Sequence, residues 1–76
     1  MNNAVYILSI EEVRDTGNKF VLSHAFKSLK SAKAYAKRFQ GGFPKGIRWT
    51  TPNYTNVWWC NTGLYEYTIS YELIFD

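Results

Sequence analysis

The chain has 76 residues, which is enough for a single domain, residues 1–76, with one compact core. Aromatic residues make up 18% of it and supply the apolar area that so small a core needs. The one cysteine, Cys60, cannot form an intrachain disulfide, so a reducing compartment is favoured and we expect a cytoplasmic protein. The N-terminal apolar run is interrupted by Ser9 and ends at Glu11, which is typical of neither a signal peptide nor a membrane span. We therefore expect no membrane partner.

The net charge of +3 is unevenly distributed. Residues 27–48 hold seven basic side chains and no acidic one, whereas the segments on either side are net negative: the basic residues are Lys27, Lys30, Lys33, Lys37, Arg38, Lys45 and Arg48. Such a block can steer an acidic partner over about a Debye length, roughly 8 Å at physiological salt. The alternative is a solvated lysine surface that serves solubility alone.

The first two elements are predicted to form a β-hairpin. Residues 4–13 have apolar side chains on both faces, as expected for a strand in the middle of a sheet. A turn containing Gly17 leads to a second strand over residues 19–25.

Residues 28–40 form the one segment whose spacing predicts a helix. Apolar and basic side chains recur at helical intervals on opposite sides: Leu29, Ala32, Ala36 and Phe39 on one, Lys30, Lys33 and Lys37 on the other. Ser28 is a good N-cap, and Gly41 can adopt the left-handed conformation that ends a helix. Lys30 lies in the first turn, where it opposes the helix dipole, which favours a role for the basic side in binding.

The rest of the chain is predicted to consist of strands and turns. The segment GGFPKG, residues 41–46, lacks the spacing of a phosphate-binding loop and is interpreted as a linker. Strands are predicted at residues 47–51, 55–61 and 64–75, with a turn at 52–54; the last strand alternates most regularly between apolar and polar side chains. The expected fold class is α+β: a four- or five-stranded antiparallel sheet with one helix packed on one face, in the order ββαβββ.

The predicted helix is too small to cover the predicted sheet. About thirteen residues of helix span roughly 20 Å. Trp58 and Trp59 are adjacent in a strand and must point to opposite faces, so at least one of them should be exposed. The alternatives are that the sheet curls and buries both indoles, or that a homodimer covers them.

No pattern in the sequence indicates catalysis. His24 is the only histidine, and it is not accompanied by a serine or Cys60 at the spacing of a nucleophilic site. One cysteine and one histidine cannot form a zinc site within one chain. We therefore predict a protein that is not an enzyme and that uses no metal and no cofactor.

Four segments together carry a resemblance to a group of proteins. The opening strand VYILSIEE, the hairpin, the helix entry FKSLKSAKAYAKRF and the closing strand YEYTISYEL resemble small single-domain proteins of bacteriophage and bacterial accessory genes. Phage inhibitors of host defence, anti-CRISPR proteins included, are found among them. The resemblance implies a host protein complex as the partner and inhibition by occlusion of an interface.

Taken together, these observations predict a non-catalytic binding protein, an inhibitor or adaptor that occludes a host protein complex such as a defence or nucleic-acid-handling machine. The partner is expected to have an acidic surface, and a homodimer is a further partner to consider. The alternative is direct binding of nucleic acid through the basic helix and exposed aromatic rings. The predicted partner-binding residues are Lys30, Lys33, Lys37, Arg38, Lys45, Arg48, Trp58 and Trp59.

Overall fold

The computed structural model describes residues 3–52 and 56–74. Its elements are β1 (Asn3–Glu12), β2 (Lys19–Phe26), α1 (Leu29–Gln40), β3 (Val57–Asn61) and β4 (Tyr65–Ile74). The four strands form one antiparallel sheet in the order β2-β1-β4-β3. The α+β class and the antiparallel sheet with one helix are as predicted, and within the described ranges the sheet has four strands.

The two long strands, β1 and β4, form the centre of the sheet and pair along their whole length, from Asn3 opposite Ile74 to Glu12 opposite Tyr65. The β1–β2 hairpin turns through Gly17, whose φ of 113° favours glycine. Its register shifts by one residue, because Ile10 pairs with Leu22 and Glu11 pairs with Phe20. Val21 is thus the extra residue of a β-bulge.

Helix α1 begins and ends as the sequence predicts. The Ser28 side-chain oxygen accepts a hydrogen bond from the Ser31 backbone N–H at 3.1 Å. Gly41 adopts a left-handed conformation with a φ of 81°, and its N–H donates to the Arg38 carbonyl at 3.1 Å. The next N–H, of Gly42, donates to the Lys37 carbonyl at 2.8 Å, so these bonds satisfy carbonyls that the helix leaves free.

The core lies between α1 and one face of the sheet, which we call the helix side. The helix contributes two alanines, Ala32 and Ala36, so its backbone can approach the central strands closely. Among the described residues, seven apolar ones are fully or almost fully buried there: Leu8, Ile10, Ala32, Ala36, Cys60, Tyr67 and Ile69. The opposite face, which we call the open face, has no described helix or strand packed on it.

The predicted strand at residues 47–51 is wrong. In this segment Thr50 alone pairs, in an isolated bridge to Trp59 with two backbone hydrogen bonds of 2.8 Å. Ile47 and Trp49 pack against the core, so the segment is held in place by side-chain contacts and by one bridge instead of by a continuous strand ladder. Residues 53–55, part of the predicted turn and the start of the predicted strand 55–61, lie outside the described residues.

The linker interpretation of residues 41–46 also needs correction, because this segment packs on the sheet. The Phe43 ring lies 5.2 Å from the Tyr67 ring, and the Trp49 ring farther along lies 6.2 Å from it. A twelve-residue helix is roughly 18 Å long, whereas ten-residue strands extend about 33 Å. The loop therefore covers apolar surface of β4 that the helix leaves bare.

Among the described residues, no helix is both long and apolar enough to cross a membrane.

Burial along β4 gives a prediction about stability. Ile69 is fully buried, whereas Ile74 on the same strand is 45% exposed. Ile69→Val should lower the free energy of unfolding by about 0.5–1.5 kcal/mol, since it leaves a small cavity, and Ile74→Val should change it much less. Urea unfolding of both variants measures the difference. Equal losses would contradict the position of the core.

Candidate binding surface

A pocket of about 440 Å³ opens where α1 meets the loop that follows it. We call it the lysine pocket. Its lining combines three lysines with apolar and aromatic side chains: Lys33, Ala34, Lys37, Phe43, Pro44, Lys45, Ile47 and Trp49.

The aromatic wall of the lysine pocket is held in place by the core. The rings of Phe43 and Trp49 lie 6.1 Å apart, and both contact the fully buried Tyr67. The Ile47 N–H donates to the Pro44 carbonyl at 3.3 Å. This hydrogen bond closes a turn between Phe43 and Trp49, so that the two rings lie close together. Phe43 and Trp49 thus belong both to the core and to the pocket, so the wall has a fixed geometry.

The cationic side of the pocket comes from α1 and the loop. The Lys33 ammonium lies 5.9 Å from the centroid of the Trp49 ring, within range of a cation–π interaction. Lys37 and Lys45 are exposed. Among residues 3–52 and 56–74 the one ion pair joins Arg14 to Glu12, so no described carboxylate neutralises the three pocket lysines. Their charge is available to an anionic group from outside.

The other predicted basic residues lie around this pocket or away from it. Arg38 lines a neighbouring depression together with Lys37, next to the glycines that end α1. Lys30 and Arg48 are exposed and do not line the lysine pocket. The structure therefore brings together Lys33, Lys37 and Lys45 of the predicted set.

The two predicted tryptophans lie elsewhere and on opposite faces, as their adjacency requires. Trp58 is on the helix side, where its ring lies 5.9 Å from that of Tyr6. Trp59 pairs with Thr68 on the open face and is 36% exposed. Neither lines the lysine pocket.

Sequence reasoning missed Phe43, Ile47 and Trp49 as pocket residues. The signal was present, because three large apolar side chains within seven residues are unusual for a solvated linker. Pro44 and Gly46, which lie between them, concealed it, since they indicate a turn and break any helical or strand period.

Part of the open face carries negative charge, opposite in sign to that of the lysine pocket. Glu11 and Glu66 lie directly opposite each other on β1 and β4. The Asn18 side-chain amide donates to both carboxylates, at 3.3 Å and 3.2 Å, which offsets part of their repulsion. The structure thus separates an acidic part of the open face from the basic side of α1.

In the part of the chain that the structure describes, burial shifts the pKa of two side chains, Cys60 and Tyr67. Burial raises the pKa of the Cys60 thiol to about 11, so this thiol stays protonated at neutral pH and is a poor nucleophile. Burial, followed by the charges of Cys60 and Tyr65, raises the pKa of Tyr67 to about 12. The Tyr67 hydroxyl donates to the Gln40 side-chain oxygen at 2.8 Å, as does that of Thr62 at 2.7 Å.

The part of the chain that the structure describes contains no group of three or more His, Cys, Asp or Glu residues that could hold a metal ion. Comparison of the chain with protein-family models, with curated proteins and with solved structures found no match.

The raised pKa of Cys60 predicts a loss of stability in alkaline solution. Above its usual pKa of 9.0 the thiol of the unfolded chain releases its proton, whereas the folded chain keeps it until about pH 11. The unfolded state then binds fewer protons, so the free energy of unfolding should fall by up to about 1.4 kcal/mol per pH unit between these values.

The measurement is urea unfolding at a series of pH values from 8 to 11, with Cys60→Ala as the control. The variant lacks the thiol and should show a shallower decline than the wild type. Identical slopes would show that Cys60 does not contribute.

Proposed function

We propose that this protein is a non-catalytic binding protein that docks through the lysine pocket onto an acidic surface of another protein. One observation carries the proposal: three lysines that no described carboxylate neutralises surround an apolar pocket of about 440 Å³. The aromatic wall can take up an apolar side chain, and the lysines can pair with carboxylates around it. A desolvated apolar centre with a charged rim is the usual arrangement of a protein interface.

The charge distribution supports the same proposal. The basic block of residues 27–48 is concentrated on α1 and its loop, whereas Glu11 and Glu66 are on the open face. This polarity favours one orientation as an acidic partner approaches, and it speeds association at low salt. Lys30, Arg38 and Arg48 would contribute to this steering from outside the pocket.

The resemblance to small phage proteins supports a narrower form of the proposal. The protein would then be an inhibitor or adaptor in the cytoplasm that occupies an acidic surface of a host defence or nucleic-acid-handling complex. Such an inhibitor acts stoichiometrically and leaves its partner chemically unchanged.

Direct binding of nucleic acid is the alternative. The seven basic residues of 27–48 could contact phosphates, while Trp49 or Phe43 stacked on a base. The Trp49 ring, however, already has Lys33, Phe43 and Tyr67 around it, which leaves less of its surface for stacking. This geometry favours a protein partner.

A matched pair of charge reversals tests the proposal. Lys33→Glu with Lys37→Glu removes the pocket cations on α1. Lys19→Glu with Lys27→Glu makes the same change in net charge at exposed positions outside the pocket. Both variants should keep the fold, as checked by circular dichroism, but only the pocket variant should lose partner binding, by at least about tenfold, equivalent to about 1.4 kcal/mol.

The binding assay is quantitative capture from a bacterial lysate with and without nuclease, followed by titration of the purified captured protein. Capture that survives nuclease and is lost with the pocket variant supports a protein partner. Capture that disappears with nuclease, together with binding of labelled single-stranded DNA, would establish the alternative. Equal losses in the two variants would show that the pocket is not the docking site.

A further inference from the structure

The two outer strands of the sheet, β2 and β3, differ in the backbone pairing of their outer edges. Along β3, the bridge between Thr50 and Trp59 occupies part of the edge with two backbone hydrogen bonds of 2.8 Å. No described residue pairs with the outer edge of β2. Six of the eight β2 residues are exposed, including Phe20 at 60%.

An unpaired edge strand directs the N–H and C=O groups of alternate residues outward, ready to pair with another strand. Charged residues, proline and bulges commonly protect such edges. In β2 these protective features occur only in the first three residues, where Lys19 is charged and Val21 forms the bulge. The remaining segment, residues 22–26 with the sequence LSHAF, has no Lys, Arg, Asp or Glu, no proline, no glycine and no bulge.

We propose that a second copy of this chain pairs with that segment, β2 against β2 in antiparallel orientation, about a twofold axis through His24. The two four-stranded sheets then form one continuous sheet of eight strands. This inference is independent of the proposed function, because it uses a different surface.

The side chains of the segment are self-complementary in this register. Leu22, His24 and Phe26 lie on the helix side, since they pair with Ile10, Leu8 and Tyr6 of β1. A twofold axis through His24 places Leu22 opposite the partner's Phe26. Both of these residues already pack against the core, so their contact extends the core across the interface.

On the open face, the same register pairs small side chains. Ser23 lies opposite the partner's Ala25, and neither is charged. An axis through Ser23 instead would pair Ala25 with the partner's Val21, which is the bulged residue. The axis through His24 pairs all five bulge-free residues, 22–26, with one another.

The distribution of charge favours a second copy as the occupant. The flank of α1 that faces β2 is marked by Tyr35, whose ring stacks on His24 at 5.8 Å. The lysine pocket is on the other flank, where Lys33 lies over Trp49. Joining two β2 strands therefore keeps the two lysine pockets at opposite ends of the assembly, without repulsion between them.

The geometry also limits the assembly to two copies. A twofold contact uses the same edge in both molecules and leaves no free β2 edge. The outer side of β3 is partly occupied by Thr50, so further strands are not readily added there. Pairing thus gives a dimer and not a fibre.

Cysteine cross-linking tests both the dimer and its register. In the proposed pairing, the Cα atoms of the two His24 residues are roughly 4.5–5.5 Å apart, within the range that a disulfide spans. His24→Cys should therefore form a disulfide-linked dimer under mild oxidation. Ala25→Cys is the matched control, because it faces the partner's Ser23 and lies about 7–8 Å from its own copy, too far to bridge.

The native Cys60 can stay in both variants, since its thiol is buried and protonated at neutral pH. A disulfide-linked species of twice the 8.9 kDa chain for His24→Cys, and little for Ala25→Cys, supports the proposal. No cross-link at either position, or equal cross-linking at both, overturns it.

Sedimentation equilibrium provides a second measurement that needs no cysteine. The wild type at millimolar concentration should have twice the mass of the 8.9 kDa chain. His24→Glu places two like charges directly opposite each other and should return the protein to a monomer, whereas Ala25→Glu should weaken the dimer less. A wild type that stays at 8.9 kDa, or one that pairs its β2 edge with a different protein, would overturn the proposal.

Discussion

Among the described elements, the helix is much shorter than the strands of the sheet on which it packs, and this difference in length determines which surfaces the protein exposes. The helix has twelve residues and the central strands have ten each, but a strand extends about twice as far per residue. Ala32 and Ala36 let the helix lie close to the sheet, which seals the centre of the core. Apolar surface beyond the helix has to be covered by something else.

The loop after α1 provides that cover on one flank, and the lysine pocket results from it. Phe43 and Trp49 reach Tyr67 from outside the helix, and the space left between them and the lysines of α1 is the pocket. On the other flank, Tyr35 packs with His24 and Phe26 over the exposed strand β2. The helix therefore separates two surfaces of different chemistry: one is cationic and aromatic, and the other is the outer edge of β2, whose backbone groups no described strand pairs.

The elements with strong local signals could be predicted from the sequence. The N-cap at Ser28 and the left-handed Gly41 fix the ends of the helix, and they depend on neighbouring residues alone. The alternation of side chains predicts that Trp58 and Trp59 lie on opposite faces for the same reason.

The loop after the helix could not be predicted in this way. Its position depends on contacts between Phe43, Trp49 and Tyr67, which are far apart in sequence. Short-range patterns carry no information about such contacts, so residues 47–51 resembled a strand and residues 41–46 resembled a linker. Three lysines of the candidate site were found through their charge, whereas its aromatic wall depends on the tertiary fold.

Phe43 and Trp49 belong both to the core and to the wall of the lysine pocket. Binding of a ligand in this pocket is therefore coupled to folding. A molecule that binds in the pocket contacts side chains whose placement exists only in the native state, so it must shift the folding equilibrium by mass action. The melting temperature of the protein thus reports on any occupant, whatever its identity. A thermal-shift screen of acidic peptides and small anions can therefore reveal the ligand chemistry of this pocket before a partner has been isolated.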